Sequence, residues 1–365
     1  MTALDPKLQR LIRQDIQGMH AYAVQESAGM VKLDAMENPY SLPPALQAEL
    51  GQRLGQLALN RYPDGRVDDL RAALARYAGM PEGYALMLGN GSDELISLLA
   101  MACDVPGASI LAPVPGFVMY AMSAQLQGLA FHGVPLTPEF ELDVVAMLGA
   151  IAKHKPSITY IAYPNNPTAN LWNDAAIEKI IAAVGEQGGL VVMDEAYQPF
   201  AARSWIERIR AKPAANSHVL LMRTLSKFGL AGVRLGYMMG PAALIAEVDK
   251  VRPPYNVSVL NYECALFALE HAEVFAAQAQ EIKVQRAMIL EALKALPGVR
   301  AWNSDANMIL LRVPDAAKTF EGMKARKVLV KNVTKLHPLL ANCLRLTVGT
   351  PQENQLMLAA LKESL

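Results

Sequence analysis

Lys227 stands in the segment Arg223-Thr224-Leu225-Ser226-Lys227-Phe228-Gly229, a few residues after a strand-like run, and Arg234 lies seven residues on. A lysine amine acquires chemistry when it is kept neutral, because it can then form a Schiff base with an aldehyde. Nearby hydroxyls and a guanidinium would suit a phosphate on the same ligand. An isolated Ser-Lys pair in a Gly-rich turn is more simply a solvated loop, so the segment needs company.

Three further segments could supply it. Asp194 and Glu195, with Tyr197 just beyond, end the buried run Val191-Val192-Met193. Ligands of open α/β sheets bind at such strand ends, and a carboxylate buried there needs a partner. A protonated pyridine nitrogen would be one; a local arginine or simple solvation are the alternatives. Tyr163-Pro164-Asn165-Asn166-Pro167-Thr168 contains a fixed turn in which Asn166 could offer an amide donor. Leu88-Gly89-Asn90-Gly91-Ser92-Asp93-Glu94 joins a strand to a helix, where backbone N–H groups and Ser92 could bind an anion, or Ser92 or Asp93 could merely cap. It has no Gly-Lys-Ser/Thr, and Glu94 stands where a dinucleotide fingerprint needs its third glycine.

The elements that must position these residues follow a β-loop-α rhythm. Runs at Tyr84–Leu88, Ser109–Ala112, Ile158–Tyr163, Gly189–Met193 and His218–Arg223 are short and almost wholly apolar, as strands buried on both faces are. Helical patterns fill between them at Val67–Tyr77, Asp93–Cys103, Phe117–Gln127 and Asp174–Glu186, predicting an α/β domain with right-handed crossovers. The character changes near Arg252-Pro253-Pro254. Long helices are predicted over Val259–Gln278 and Gln280–Leu296. Strands follow at Met308–Val313, Val328–Lys331 and Leu344–Val348, with helices over Ala316–Arg326 and from Gln352 onward.

Composition narrows the function. Among 365 residues, 34 Lys+Arg balance 34 Asp+Glu, which argues against a general nucleic-acid binder. Apolar residues at 52% exclude disorder as the main state. Cys103, Cys264 and Cys343 are too scattered for a disulfide framework or a Cys-based zinc site, and suit a reducing compartment. His20, His132, His154, His218, His271 and His337 show no metal-ligand spacing, and no metal site is expected. No apolar run approaches a membrane span, and the first residues lack a leader's apolar stretch, so a cytoplasmic protein is expected.

The order of the segments is more specific than any one of them. Gly-rich turn, Asn-Pro-Thr, Asp-x-x-Tyr, Ser-Lys and Arg234 resemble the fold-type I pyridoxal-phosphate enzymes of the aspartate aminotransferase superfamily over nearly the whole chain. Met36-Glu37-Asn38-Pro39, Asn60-Arg61-Tyr62-Pro63-Asp64, Asp194-Glu195-Ala196-Tyr197, Thr224-Leu225-Ser226-Lys227 and Leu344-Arg345-Leu346-Thr347-Val348-Gly349-Thr350 are more narrowly similar to the histidinol-phosphate aminotransferase family. That resemblance implies a large pyridoxal-phosphate-binding domain over 30–252, with a mostly parallel seven-stranded sheet. A smaller α+β domain would comprise 1–29 and 253–365. It implies transamination between histidinol phosphate and 2-oxoglutarate, by a ping-pong route in histidine biosynthesis.

It also implies roles. Lys227 would hold the cofactor as a Schiff base and then shuttle a proton. Asp194 would pair with the pyridinium nitrogen, and Tyr197 and Asn166 would hydrogen-bond the ring's phenolic oxygen. Phe117 would stack on the ring. Gly91, Ser92, Asp93, Thr224, Ser226 and Arg234 would hold the phosphate, with Tyr62 reaching it from the other subunit of a homodimer. Arg345 would take the substrate's anionic group, and closure of the small domain that carries it would cover the substrate. Tyr22, Asn38 and Lys331 would line the substrate pocket.

Three residues depart from the family pattern: Lys331 where an arginine is usual, Ala169 where a glycine follows Asn-Pro-Thr, and Phe117 where tyrosine is commoner. A lysine supplies charge as a point rather than a fork, which leaves room for an aminotransferase of aromatic or other amino acids, or a threonine-phosphate decarboxylase. A ligand-sensing DNA-binding regulator would need an N-terminal winged helix, and only about thirty residues precede the first family motif.

Overall fold

The computed structural model describes residues 5–19, 25–63 and 66–365, with the side chains of Pro6 and Arg66 also outside the description. The chain begins its sheet structure with the short β1 (Val31–Lys32). Seven strands then form the main sheet: β2 (Tyr84–Gly89), β3 (Ser109–Val114), β4 (Ala130–Pro135), β5 (Ile158–Ala162), β6 (Leu190–Asp194), β7 (Val219–Thr224) and β8 (Gly236–Pro241). Their order is β2-β8-β7-β6-β5-β3-β4, and only β8 runs against its neighbours. The mostly parallel seven-stranded sheet is as expected.

Alternate residues of these strands feed opposite faces. Val191, Met193, Val219 and Leu221 join one apolar cluster, while Val192, Leu220, Met222 and Ile110 join another on the far side. Helices cover both faces, which is why the strands read as unbroken apolar runs. Two strands of this sheet were not anticipated, nor were the two-residue strands Val31–Lys32 and Arg300–Ala301. Ala130–Pro135 is an edge strand and stays largely solvent-facing, so its composition is mixed. Gly236–Pro241 contains two glycines and a proline, so it lacks the apolar run that marks the other strands.

A second sheet, ordered β12-β13-β10-β9, comprises β9 (Arg300–Ala301), β10 (Met308–Arg312), β12 (Lys331–Asn332) and β13 (Cys343–Thr347). β11 (Val328–Leu329) instead pairs in parallel with β1. Leu33 and Met36 pack into the small sheet's core, so residues 31–36 lie with the small unit rather than with 30–252. Conversely Val257, Tyr262, Ala265 and Ala268, expected with the small unit, pack into a cluster of the large sheet. The two long helices run over Val259–Glu270 and Ala272–Lys294, and the break falls at His271 instead of near Gln278. No Pro or Gly marks it. Among the described residues no helix is long and apolar enough to cross a membrane.

Candidate active site

The C-terminal ends of β3, β5, β6 and β7 and the turn after β2 converge on one cleft of about 350 Å³. Strand ends gather there because parallel strands release their chains on the same side. Lys227 sits in a single π-helical turn, Ser226–Leu230, immediately after β7. Its Nζ lines the cleft and donates to the carbonyl oxygen of Ala35 at 2.9 Å. Burial, with help from the positive charge of Arg345, lowers the amine's pKa to about 8. A lysine so placed is neutral about one-tenth of the time at pH 7, roughly a hundredfold more than an ordinary lysine, and a nucleophilic amine must be neutral.

Asp194 ends β6, in register with Ala162 of β5 and Met222 of β7. Burial raises its pKa to about 6, against two hydrogen bonds that favour the carboxylate. Oδ2 accepts from the Tyr120 hydroxyl at 2.6 Å, and Oδ1 accepts from the Ala196 N–H at 3.0 Å. Of the partners considered for this acidic pair, the arginine goes to Glu195. Arg223 of β7 donates to Glu195 Oε2 from Nε at 3.0 Å and lies 2.9 Å away through Nη2, with both side chains almost fully buried. The two acids point to opposite faces of the sheet and have different jobs.

A turn rich in hydroxyls and backbone N–H groups, with Arg234 beside it, also lines the cleft. Gly91 caps the helix Ser92–Ala102 with φ 84° and without a side-chain cap bond, which leaves first-turn N–H groups directed at the cleft end. Ser92, Asp93, Thr224, Ser226 and Arg234 line the same end. Thr224 Oγ1 lies 3.0 Å from Ser226 Oγ, and Arg234 reaches Ser226 Oγ at 3.4 Å and Asp93 Oδ2 at 3.6 Å. The φ of 84° favours glycine at 91, while an added Cβ would meet the movable tip of Arg234, Nη2, at 2.7 Å. Phe117 caps the helix Val118–Gln127 and borders the cleft, as do Asn166 and Tyr197. Arg345, 8% exposed on β13, donates to Asn166 Oδ1 and to the Asp34 carbonyl, each at 2.7 Å.

Four expected residues lie elsewhere or undescribed. Asn38 is tied to the Phe228 carbonyl and to Gln278, behind the Lys227 turn. Lys331 is the ladder partner of Arg345, but its side chain lines a separate cleft with Gln25 and Lys335. Tyr62 is 75% exposed and stacks on Tyr255, away from its own chain's cleft. Tyr22 lies outside the described residues. Sequence reasoning missed two participants. Tyr120 belongs to none of the motifs, although its spacing of three from Phe117 puts both on one helix face. Ala35 contributes a backbone carbonyl, which side-chain chemistry does not signal.

The donor set suits pyridoxal 5'-phosphate: an amine for its aldehyde, a buried carboxylate for its ring nitrogen, and helix N–H groups with hydroxyls and a guanidinium for its phosphate.

Comparison with known proteins agrees. Residues 28–361 match the family described as aminotransferase class I and II. The chain belongs to that family, and it has the fold of type I aminotransferases. Within it, the sequence is 77% identical over 364 residues to the histidinol-phosphate aminotransferase of Polaromonas naphthalenivorans, covering 100% of this chain and 99% of that protein. This places the chain among the histidinol-phosphate aminotransferases. The crystal structure of the Clostridium acetobutylicum histidinol-phosphate aminotransferase superposes with a TM-score of 0.81 at 21% identity, over 90% of this chain and 97% of that one. The Sinorhizobium meliloti enzyme, solved in complex with pyridoxal-5'-phosphate, gives 0.78 at 24% identity, over 91% and 90%.

Proposed function

We propose that this chain exchanges an amino group between L-histidinol phosphate and 2-oxoglutarate, giving imidazole acetol phosphate and L-glutamate, with pyridoxal 5'-phosphate as cofactor. The observation that carries the reading is the meeting of Lys227, Asp194 and the Gly91–Arg234 cradle in one cleft. When bound, the cofactor supplies an aldehyde for the amino group and a ring that withdraws electrons from the substrate Cα.

The chain's own residues do the rest. Lys227 would hold the cofactor through its aldehyde and, when released, would carry the proton taken from the substrate Cα to the cofactor carbon that bore the aldehyde, with the Ala35 carbonyl docking its amine. Asp194 would pair with the ring nitrogen and keep it protonated. Tyr197 and Asn166 would hydrogen-bond the phenolic oxygen, and Phe117 would stack on the ring. Gly91, Ser92, Asp93, Thr224, Ser226 and Arg234 grip the phosphate. Arg345 binds the substrate's anionic end; its guanidinium fits a phosphate or a carboxylate, so one residue serves both half-reactions. Its bond to Asn166 links substrate binding to ring orientation. Lys331, adjacent to Arg345 in the ladder but facing a separate cleft, adds positive charge only at a distance; Asn38 braces the Lys227 turn, and Tyr22 is assigned to the substrate side by family resemblance. Tyr62, exposed and turned from its own cleft, reaches the phosphate of a second copy's site in a homodimer. The enzyme works in the cytoplasm, by a ping-pong route.

Steady-state kinetics with 2-oxoglutarate as acceptor test the substrate. The expected result is a kcat/KM for histidinol phosphate about 10- to 100-fold above that for phenylalanine, the worth of one charge-assisted contact with the phosphate. A preference for phenylalanine would reassign the enzyme to the aromatic amino acids.

A further inference from the structure

The carboxylate of Asp194 is held from both ends. The Ala196 N–H is local, two residues on, and fixes Oδ1. The Tyr120 hydroxyl comes from another layer: it projects from the helix Val118–Gln127 onto the end of β6 and binds Oδ2. Tyr120 is 2% exposed. Its ring is sandwiched, with Tyr160 of β5 stacked on it at 4.2 Å and 7° between planes, and Phe117 edge-on at 5.6 Å. A hydroxyl on a ring confined this way cannot swing off the carboxylate. No part assigned to the cofactor or the substrate has been given to it.

We propose that Tyr120 is a positioning residue for Asp194: its hydroxyl clamps Oδ2 and turns the carboxylate so that its remaining lone pairs face the cofactor's ring nitrogen. This rests on the reading of Asp194 as that nitrogen's partner. The physical need is plain. A carboxylate stripped of water stays ionised only if donors replace the water. The other groups around it do not help: Asp93 and Glu195 both oppose its charge, and the phenols of Tyr160 and Tyr197 lie nearby. Glu195 is neutralised by Arg223, which leaves the Tyr120 hydroxyl as the principal side-chain donor keeping Asp194 ionised. A protonated Asp194 could not balance a pyridinium.

Tyr120→Phe removes the hydroxyl and keeps the stacked ring, so the fold is retained. Two quantities are read: the dissociation constant of pyridoxal 5'-phosphate from apoenzyme, and the pH midpoint of the visible band of the lysine-bound cofactor. Loss of one hydrogen bond to a charged group should weaken cofactor binding by about 10- to 100-fold. The midpoint should move to higher pH, because a less protonated ring withdraws less from the Schiff-base nitrogen. Asp194→Asn should move both quantities the same way and further. Tyr160→Phe, whose lost hydroxyl makes no hydrogen bond among the described residues, should leave both unchanged. Wild-type values for Tyr120→Phe beside shifted values for Asp194→Asn would overturn the proposal. Unshifted values in both variants would instead sink the Asp194 reading, and the proposal with it. A change in melting temperature alone, with both quantities intact, would assign Tyr120 a packing role and also overturn it.

Discussion

At the scale of single residues, the site works by placing one base and one acid where water cannot level them. Lys227 has its pKa lowered to about 8 by burial and then by Arg345, against about 10.4 for a free lysine. The sign has two consequences. In the apo form the unfolded chain holds this proton more tightly, so the residue costs stability below pH 8 and the cost fades as pH rises toward the unfolded value. Covalent capture of the cofactor needs the neutral amine, so its rate constant should climb to a plateau just above pH 8. A stopped-flow series from pH 6 to pH 10 checks this; a rate still rising steeply at pH 10 would mean an ordinary lysine. Asp194 and Glu195 illustrate what sequence leaves open at this scale. Two adjacent acids after a strand were legible as a site. Which one takes the arginine depends on the pleat and on Arg223 lying on the next strand, 28 residues away.

At the scale of elements, the cradle depends on backbone approaching backbone. Gly236 opens β8 opposite Gly89, and a Cβ there would stand 2.7 Å from the carbonyl carbon of Gly91 and 2.7 Å from the N of Ser92. Neither neighbour is a flexible side chain, so the turn after β2 itself would have to move. Gly236→Ala should therefore lower cofactor affinity by more than about tenfold and cost roughly 1–3 kcal/mol of stability from overpacking. Equilibrium titration of apoenzyme and thermal melting together measure it, and a variant with wild-type affinity would show that the turn's position does not matter. Most of the elements that carry the site were readable, because fully buried parallel strands announce themselves as apolar runs and each ends in its functional turn. The strands that were not read lack that signature: β4 lies at an edge, and β8 is half glycine and proline. The helix break at His271 has no local marker, and is visible only once both helices pack.

At the scale of the molecule, chain ends meet over the cleft. Residues 34–36 run past Lys227 and are bound from the C-terminal unit: Arg345 donates to the Asp34 carbonyl, Asn307 to the Met36 carbonyl at 3.0 Å, and the Met36 N–H donates to Thr347 Oγ1 at 3.0 Å. Met36 is held there at φ 52°, a strained value for a long side chain, so tertiary contacts impose this course. The Ala35 carbonyl thereby meets Lys227, 192 residues distant in sequence. No spacing argument reaches across that gap, which is why the motifs were legible and their connection was not. The central claim is that all these parts serve one two-way amino transfer, and a visible absorbance titration of the holoenzyme with histidinol phosphate tests it most directly. The band of the lysine-bound cofactor should disappear as histidinol phosphate is added and return when 2-oxoglutarate follows. A band that ignores histidinol phosphate but bleaches with an aromatic amino acid would contradict the substrate, and a protein that stays colourless with added pyridoxal 5'-phosphate would contradict the assignment of Lys227 itself.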